Sequence, residues 1–229
     1  MSFRLAYRDD PGNPWFSWQY VRDNSDTIVA ALREHATLTV QAVLIATLLA
    51  VPLAVLAYWF RPLTGPILAL SGVLYTIPSL GLFAFIAPYL GLGTTTVLVG
   101  LVLYALLLII RNVLVGLDQV PAEVHDAAAG MGYGRWGRLL RIELPLALPG
   151  IVTGLRLATV STVALVTVGV LVGHGGLGQL IIGGFRNNTY KAEIVTGAVL
   201  TVVLALLLDL VLAAAGRLLT PWHRRGASR

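Results

Sequence analysis

The chain has 229 residues, of which 57% are hydrophobic and 12% are charged, and its mean hydropathy is +0.81. This balance is too apolar for a soluble domain and predicts a membrane protein with several spans. Cysteine is absent, which excludes disulfides, thiolate metal sites and cysteine nucleophiles. The net charge of +5 comes almost wholly from arginine, and we interpret it as topology-setting charge rather than as a nucleic-acid surface.

Residues 1–35 are predicted to be a lead-in to the membrane domain rather than a cleavable signal peptide, because acidic residues are scattered through them. The aromatic residues Trp15, Phe16, Trp18 and Tyr20 favour an interfacial helix. A solvated lead-in with interfacial side chains is an equal alternative, and neither interpretation assigns a function.

A membrane span needs about 20 apolar residues. Five stretches of the sequence qualify, and they predict an all-α, polytopic fold with spans near 36–60, 63–87, 92–110, 149–172 and 194–215. The transmembrane domain then covers 36–219, with a loop at 118–144 and a basic tail at 220–229. Basic residues number nine in the connections on one side and six on the other, which predicts an outer amino terminus and a cytoplasmic carboxyl terminus.

The second predicted span contains a proline in its middle, within the run Tyr75–Phe83. Proline removes a backbone donor and kinks a helix, which membrane proteins tolerate where other helices or water satisfy the freed groups. Because broken helices often line a translocation path, we expect path residues here, although helix-to-helix packing is an equal alternative. The candidates are Tyr75, Thr76, Pro78, Ser79, Phe83 and Tyr104.

The loop at 118–144 is long, and loops of such length inside a compact protein are usually functional or disordered. Its sequence is not of low complexity and suits two short helices hinged at Gly130, Gly132 and Gly134. Pro121 is placed to start a helix and Pro145 to stop one. Small side chains at three positions would let another surface approach closely: Ala127, Ala128 and Gly132.

The run Gly173–Gly178 fits the dinucleotide-binding pattern, but it follows an apolar span and lacks a strand–helix context. We therefore expect a tight turn leading into a re-entrant or interfacial segment at 177–185. The four histidines are scattered without metal-ligand spacing, so no metal site is predicted.

Two charges fall inside predicted spans, Arg156 and Asp209. Both lie about 10 Å from the inner boundary if each residue rises 1.5 Å. Intramembrane charges are costly and normally paired, so we predict an ion pair between them. The alternative is that Arg156 reaches towards the inner headgroups.

The loop also carries a recognisable pattern. Asp126-Ala127-Ala128, followed by Gly132, Ile142 and Leu144-Pro145, resembles the cytoplasmic signature loop of ABC importer permeases in every spacing, with aspartate in place of the usual glutamate. The resemblance implies the type I importer permease fold, in which this loop forms a coupling helix that docks on an ATP-binding subunit. The coupling residues implied are Glu123, Asp126, Ala127, Ala128, Gly130, Gly132, Arg135, Ile142, Leu144 and Pro145.

No Walker A motif is present, because the single lysine, Lys191, follows Tyr190 rather than a glycine. The chain is thus expected not to be an enzyme and to bind no cofactor. The resemblance implies two separate ATP-binding subunits that hold ATP and Mg, a second permease subunit, identical or paralogous, and an extracytoplasmic substrate-binding protein. It also implies a bacterial cytoplasmic membrane location and no nucleic acid.

The Thr-Ile-Pro-Ser-Leu run at 76–80 resembles permeases that import glycine betaine, carnitine and choline. It implies a small osmoprotectant as solute, and an aromatic path would suit a quaternary ammonium ion. An amino acid or a related betaine is the alternative solute. The rival class is an ATP-independent secondary transporter or channel, which would need inverted repeats or ion-coupling residues.

Overall fold

The computed structural model describes residues 12–221, and the helices in this range make up all of its regular structure. The α-helices are α1 (Trp18–Asp23), α2 (Ser25–Trp59), α3 (Arg61–Thr76), α4 (Ser79–Leu90), α5 (Thr94–Asp118), α6 (Ala122–Gly130), α7 (Arg135–Arg138), α8 (Leu144–Val166), α9 (Gly178–Arg186) and α10 (Lys191–Leu219). A π-helical turn at Leu139–Glu143 joins α7 to α8, and a 3-10 segment at Thr167–Val172 extends α8.

Four helical stretches are long and apolar enough to cross a membrane: α2, α5, the continuous run Arg135–Val172, and α10. The bent pair α3 and α4 makes a fifth if its two helices form one broken span, which is then the second in chain order, and Arg135–Val172 is the fourth. The prediction of about five membrane helices is therefore confirmed.

Several helices extend beyond the predicted spans because their polar residues have partners. α2 begins at Ser25 rather than at residue 36, and the carboxylate of Glu34 contacts His174 Nδ1 at 3.0 Å and accepts from Gln179 at 3.1 Å. α5 runs to Asp118 rather than ending at residue 110, since Asn112 donates to its own helix at the Leu108 carbonyl, 2.7 Å away.

The second span turns a corner of 97° between α3 and α4. Pro78, at the break, has no N–H to donate, and it starts α4 by accepting from the Leu82 N–H at 2.9 Å. The Ile77 carbonyl freed at the corner accepts the hydroxyl of Tyr104 on α5. The predicted interruption at this proline is thus a sharp corner, and a side chain from a neighbouring helix hydrogen-bonds to its freed carbonyl.

The main core lies where α2, α5 and α8 pack together. α2 contributes a stripe of fully buried alanines spaced mostly four residues apart, which lets the backbones approach closely: Ala42, Ala46, Ala50, Ala54 and Ala57. α5 contributes larger side chains that fill the centre, among them Leu101, Ile109 and Ile110, all 0% exposed.

α5 and α8 cross closely through glycines, near the end of α5 and the start of α8. A Cβ added at Gly150 would lie 2.8 Å from the Cα of Gly116 and 2.9 Å from the Asn112 carbonyl oxygen. A Cβ at Gly154 would lie 2.7 Å from the Cβ of Asn112. Small residues four apart commonly permit such close crossings in membranes.

At the other end of the bundle, the glycine-rich run 173–178 forms the predicted turn and leads into α9. Gly173 and Gly176 have φ of +100° and +49°, which glycine adopts without strain. Gly176 lies against the buried His35, whose Nε2 is 3.0 Å from the Val163 carbonyl and whose Nδ1 accepts from Leu177 N–H at 3.3 Å. His35 therefore ties α2, α8 and the turn together.

The amino-terminal segment lies against the turn before α10. Asn13 donates to the Thr189 carbonyl at 3.0 Å and accepts from the Lys191 N–H at 2.8 Å. The rings of Tyr20 and Tyr190 meet edge to face at 5.4 Å. Three aromatic side chains of the lead-in are more than half exposed: Trp15, Phe16 and Trp18.

Candidate functional site

The loop after α5 forms α6, the first of the two short helices that the sequence predicts. Pro121 precedes it in an extended conformation, and Glu123 places a negative charge near the positive end of the helix dipole. The helix stops where Gly132 adopts a φ of +80°, and the Gly132 N–H donates to the Ala129 carbonyl at 3.0 Å. We call the end of the bundle that carries α6 the loop end.

α6 has one face turned into the protein and one turned outwards. Ala128 is 0% exposed, whereas Asp126, Ala127 and Gly132 are exposed. Beside them Met131 is 68% exposed. The outward face is therefore built of small side chains bordered by a flexible apolar one, which suits close contact with another surface.

The second predicted helix is not a separate element. α7, which contains Arg135, continues through the π turn into α8, so the stretch Arg135–Val172 is one long helix. The prediction that Pro145 stops a helix is wrong. The wider π turn, in which the Leu144 N–H donates back to the Leu139 carbonyl, accommodates the missing N–H of the proline.

The second half of the signature pattern lies in the π turn and at the start of α8 rather than on α6. Ile142, Leu144 and Pro145 are partly buried in the π turn and the first turn of α8. The pattern thus comprises an exposed part on α6 and a partly buried part at the start of α8. Gly130 lies between the two parts in the sequence, and a Cβ added there would meet no atom within 4 Å.

A buried carboxylate that the sequence analysis missed connects these two halves. Glu143 is 0% exposed, and its Oε1 accepts from Arg138 Nε at 2.7 Å and lies 3.2 Å from His125 Nδ1. The hydroxyl of Tyr58, at the end of α2, is 3.5 Å from His125 Nε2. In the sequence, Glu143 looked like a spacer between Ile142 and Leu144, and only its acidic character in an apolar run was a signal.

Arg135 is engaged within the chain. Its guanidinium carbon lies 4.2 Å from the ring centroid of Trp59, and its Nη2 donates to the Trp59 carbonyl at 3.3 Å. Trp136 meets Trp59 edge to face at 4.6 Å and is 64% exposed. This aromatic cluster holds α7, at the start of the fourth span, against the end of α2.

The candidate path residues divide into two groups. Tyr75, Thr76 and Pro78 are exposed and Ser79 is partly exposed, all at the corner between α3 and α4. Phe83 and Tyr104 are buried in the chain, at 0% and 5% exposed. Phe83 packs against Gly100 on α5, and Tyr104 supports the corner through its hydroxyl and through an edge-to-face contact with Tyr75 at 5.8 Å.

The two intramembrane charges lie together. Arg156 Nε is 2.7 Å from Asp209 Oδ1, and its Nη2 is 2.8 Å from Oδ2. The two hydrogen bonds form a bidentate ion pair between the guanidinium and the carboxylate, and this pair joins α8 to α10. Both charges are paired, so the helices can carry them at membrane depth.

The long apolar helices and the exposed loop define an integral membrane protein with a small-residue surface at the loop end. Residues 42–225 match the family described as the binding-protein-dependent transport system inner membrane component, and the chain belongs to this family.

Curated relatives agree with this membership. A glycine betaine/carnitine/choline transport system permease protein of Bacillus subtilis is 35% identical over 90% of both chains. A carnitine transport permease protein of Listeria monocytogenes is 34% identical over 88% of this chain and 91% of its own length. An osmoprotectant import permease protein of Salmonella typhimurium is 33% identical, over 88% of this chain and 96% of its own.

Solved structures share the fold. The inward-facing MetNI methionine ABC transporter aligns with a TM-score of 0.80 over 90% of this chain and 100% of that one, at 24% identity. An amino acid ABC transporter aligns with a TM-score of 0.72 over 88% and 98%, at 17% identity. These similarities establish the type I ABC importer permease fold.

Proposed function

We propose that this chain is the permease subunit of an ATP-driven importer for a small osmoprotectant such as glycine betaine, carnitine or choline. One observation carries the proposal: in a chain of this family, α6 and the turn after it expose Ala127 and Gly132 of the signature pattern at the loop end. A surface of that kind suits a partner, and the absence of a Walker A motif supports the proposal that ATP binds to that partner.

In this scheme two permease subunits enclose the path and each α6 docks on one of two ATP-binding subunits, which hold ATP and Mg. A substrate-binding protein delivers the solute at the opposite end of the bundle. ATP drives the cycle only if it binds one arrangement of the complex more tightly than the other. The loop end is cytoplasmic in this scheme, which agrees with its arginines: Arg61, Arg135, Arg138, Arg141 and Arg217.

The solute class rests on the relatives and on the corner of the second span. The relatives are named for glycine betaine, carnitine and choline. Tyr75 is 38% exposed at the corner and is braced edge to face by Tyr104. A tyrosine face attracts a quaternary ammonium group, which has no hydrogen to donate. Thr76, Pro78 and Ser79 complete the proposed path surface.

The docking of α6 can be tested with a bulky substitution on its outer face. Ala127→Trp should keep α6 helical, because Ala127 is exposed, but should hold the partner surface away. We expect the affinity for the ATP-binding subunit to fall at least about tenfold. Co-purification of the two subunits and solute-stimulated ATP hydrolysis in liposomes would measure the effect.

Leu218→Trp is the matched control, since Leu218 is 80% exposed at the same end of the bundle but lies outside the loop. This variant should co-purify with the ATP-binding subunit, and the complex that contains it should hydrolyse ATP like the wild-type complex. Full co-purification of the Ala127→Trp chain would contradict docking through α6.

The solute and the path can be tested together in liposomes that contain the whole importer and its binding protein. Uptake should be greatest with glycine betaine, carnitine or choline and low with amino acids. Tyr75→Leu should reduce the maximal uptake rate by about threefold or more, since a cation–π contact contributes about 0.5–2 kcal/mol. Tyr75→Phe, which keeps the ring, should stay close to wild type. Equal uptake rates for the leucine and phenylalanine variants would show that the aromatic ring of Tyr75 does not contribute to the path.

A further inference from the structure

The buried cluster at the loop end contains an unusual charge. The Glu143 carboxylate is 0% exposed, and a buried ion of this kind is strongly destabilising unless partners compensate its desolvation. Within the described chain its Oε1 contacts both Arg138 and His125, whereas its Oε2 is buried without a hydrogen-bond partner. One carboxylate oxygen thus carries all the compensation, and the cluster is sensitive to the loss of either contact.

The π turn creates this cluster. Arg138 and Glu143 are five residues apart, whereas residues that face each other on an α-helix are three or four apart. A π turn, with its i→i+5 hydrogen bonds, brings a five-residue separation onto one face. The 2.7 Å contact therefore depends on the irregular turn at Leu139–Glu143.

The second partner of Glu143 comes from α6. His125 lies on this helix, one residue before the signature run, and its side chain is only 25% exposed. Its other ring nitrogen lies 3.5 Å from the hydroxyl of Tyr58 at the end of α2. The cluster therefore joins α6, the base of the fourth span and the end of the first span.

The covalent connection between α6 and the fourth span is rich in glycine. It passes through Gly130, Gly132 and Gly134, and a Cβ at any of these positions would meet no atom within 4 Å. A displacement of α6 transmitted only through this segment would be absorbed by rotation of the glycines. The contact between His125 and Glu143 bypasses the segment.

We propose that Glu143 is a positioning residue for energy coupling, which holds α6 to the base of α8 through His125. The inference rests on the proposed function, because it assumes that an ATP-binding subunit moves α6. Motion imposed on the helix then reaches the fourth span through a buried charge contact. Loss of that contact uncouples ATP hydrolysis from solute delivery while the subunits stay assembled.

The test uses the complete importer in liposomes and two variants. Glu143→Gln keeps the shape of the side chain and one acceptor oxygen but turns its charge-assisted contacts with Arg138 and His125 into weaker neutral ones, and His125→Ala removes the α6 side of the contact. Each should reduce solute-stimulated ATP hydrolysis about tenfold, which lies within the usual range of coupling between sites. The KM for ATP and the recovery of the complex should not change. The double variant should be no worse than the more impaired single variant, since both changes act on the same contact.

Arg61→Gln is the matched control. It breaks an ion pair of similar length at the loop end, 2.8 Å to Asp118, but both side chains are well exposed and neither residue belongs to α6. It should leave stimulation unchanged.

Full stimulation in an assembled Glu143→Gln importer would overturn the inference. If that variant fails to assemble, His125→Ala decides: a tenfold loss supports the inference and full stimulation overturns it. A wild-type importer without any solute-stimulated hydrolysis would instead refute the proposed function and, with it, this inference.

Discussion

Gly150→Val should prevent stable folding of the helical core. The added Cβ would lie 2.8 Å from the Cα of Gly116 and 2.9 Å from a carbonyl oxygen of α5, and backbone atoms cannot rotate away as side chains can. Overpacking of cores costs about 1–3 kcal/mol, and we expect the upper end of this range or more because α5 and α8 must separate. Thermal unfolding of the purified chain in detergent, with gel filtration of the sample, would measure the loss.

Gly72→Val is the control for this prediction. The same side chain is added in the middle of α3, where a Cβ would meet nothing within 4 Å. That variant should unfold near the wild-type temperature. If the two valine variants unfold alike, the close crossing of α5 and α8 does not determine stability.

Breaking the intramembrane ion pair should have an effect of similar size. Arg156→Leu leaves Asp209 unpaired at membrane depth, and Asp209→Leu leaves the guanidinium unpaired. An unpaired charge in this region is costly, so we expect each single variant to yield about tenfold less folded chain from membranes. Fluorescence-detected gel filtration of detergent extracts provides the measurement.

The double variant Arg156→Leu with Asp209→Leu should recover most of that loss. Replacing both members of an ion pair with apolar residues is often neutral or stabilising, because no charge is then left uncompensated. We expect the yield to return to within about twofold of wild type. A double variant as poor as the worse single variant would show that the two side chains do not act as a pair.

The sequence predicts the number and order of the spans well, because long apolar runs have few other interpretations. It places the helix ends poorly. Residues such as Glu34 and Asn112 looked like boundaries because they are polar, whereas in the structure each has a partner that lets the helix continue. Such partners lie in other segments or in the preceding turn and cannot be identified from hydropathy.

In the loop, too, the sequence predicts local features but not those that depend on tertiary contacts. The spacing of its small residues predicts α6, since that property is local. The π turn is not predicted, because Pro145 is an ordinary helix-stop signal and only the tertiary setting makes a wider turn preferable. Glu143 is missed for the same reason: its partners, Arg138 and His125, face it only once that turn has formed.

The 97° corner has a consequence for the state in which this chain can exist. α3 is about 24 Å long and α4 about 18 Å at 1.5 Å per residue, so neither half alone reaches across a hydrocarbon layer of about 30 Å. Irregular backbone at this depth is tolerated only against protein or water, and Pro78 is exposed in the single chain. The exposed side of the corner, whose Ile77 and Pro78 carbonyls already have partners, is therefore expected to face protein or water rather than lipid. If another chain covers that side, the stability of this fold should rise with the concentration of that chain in the bilayer.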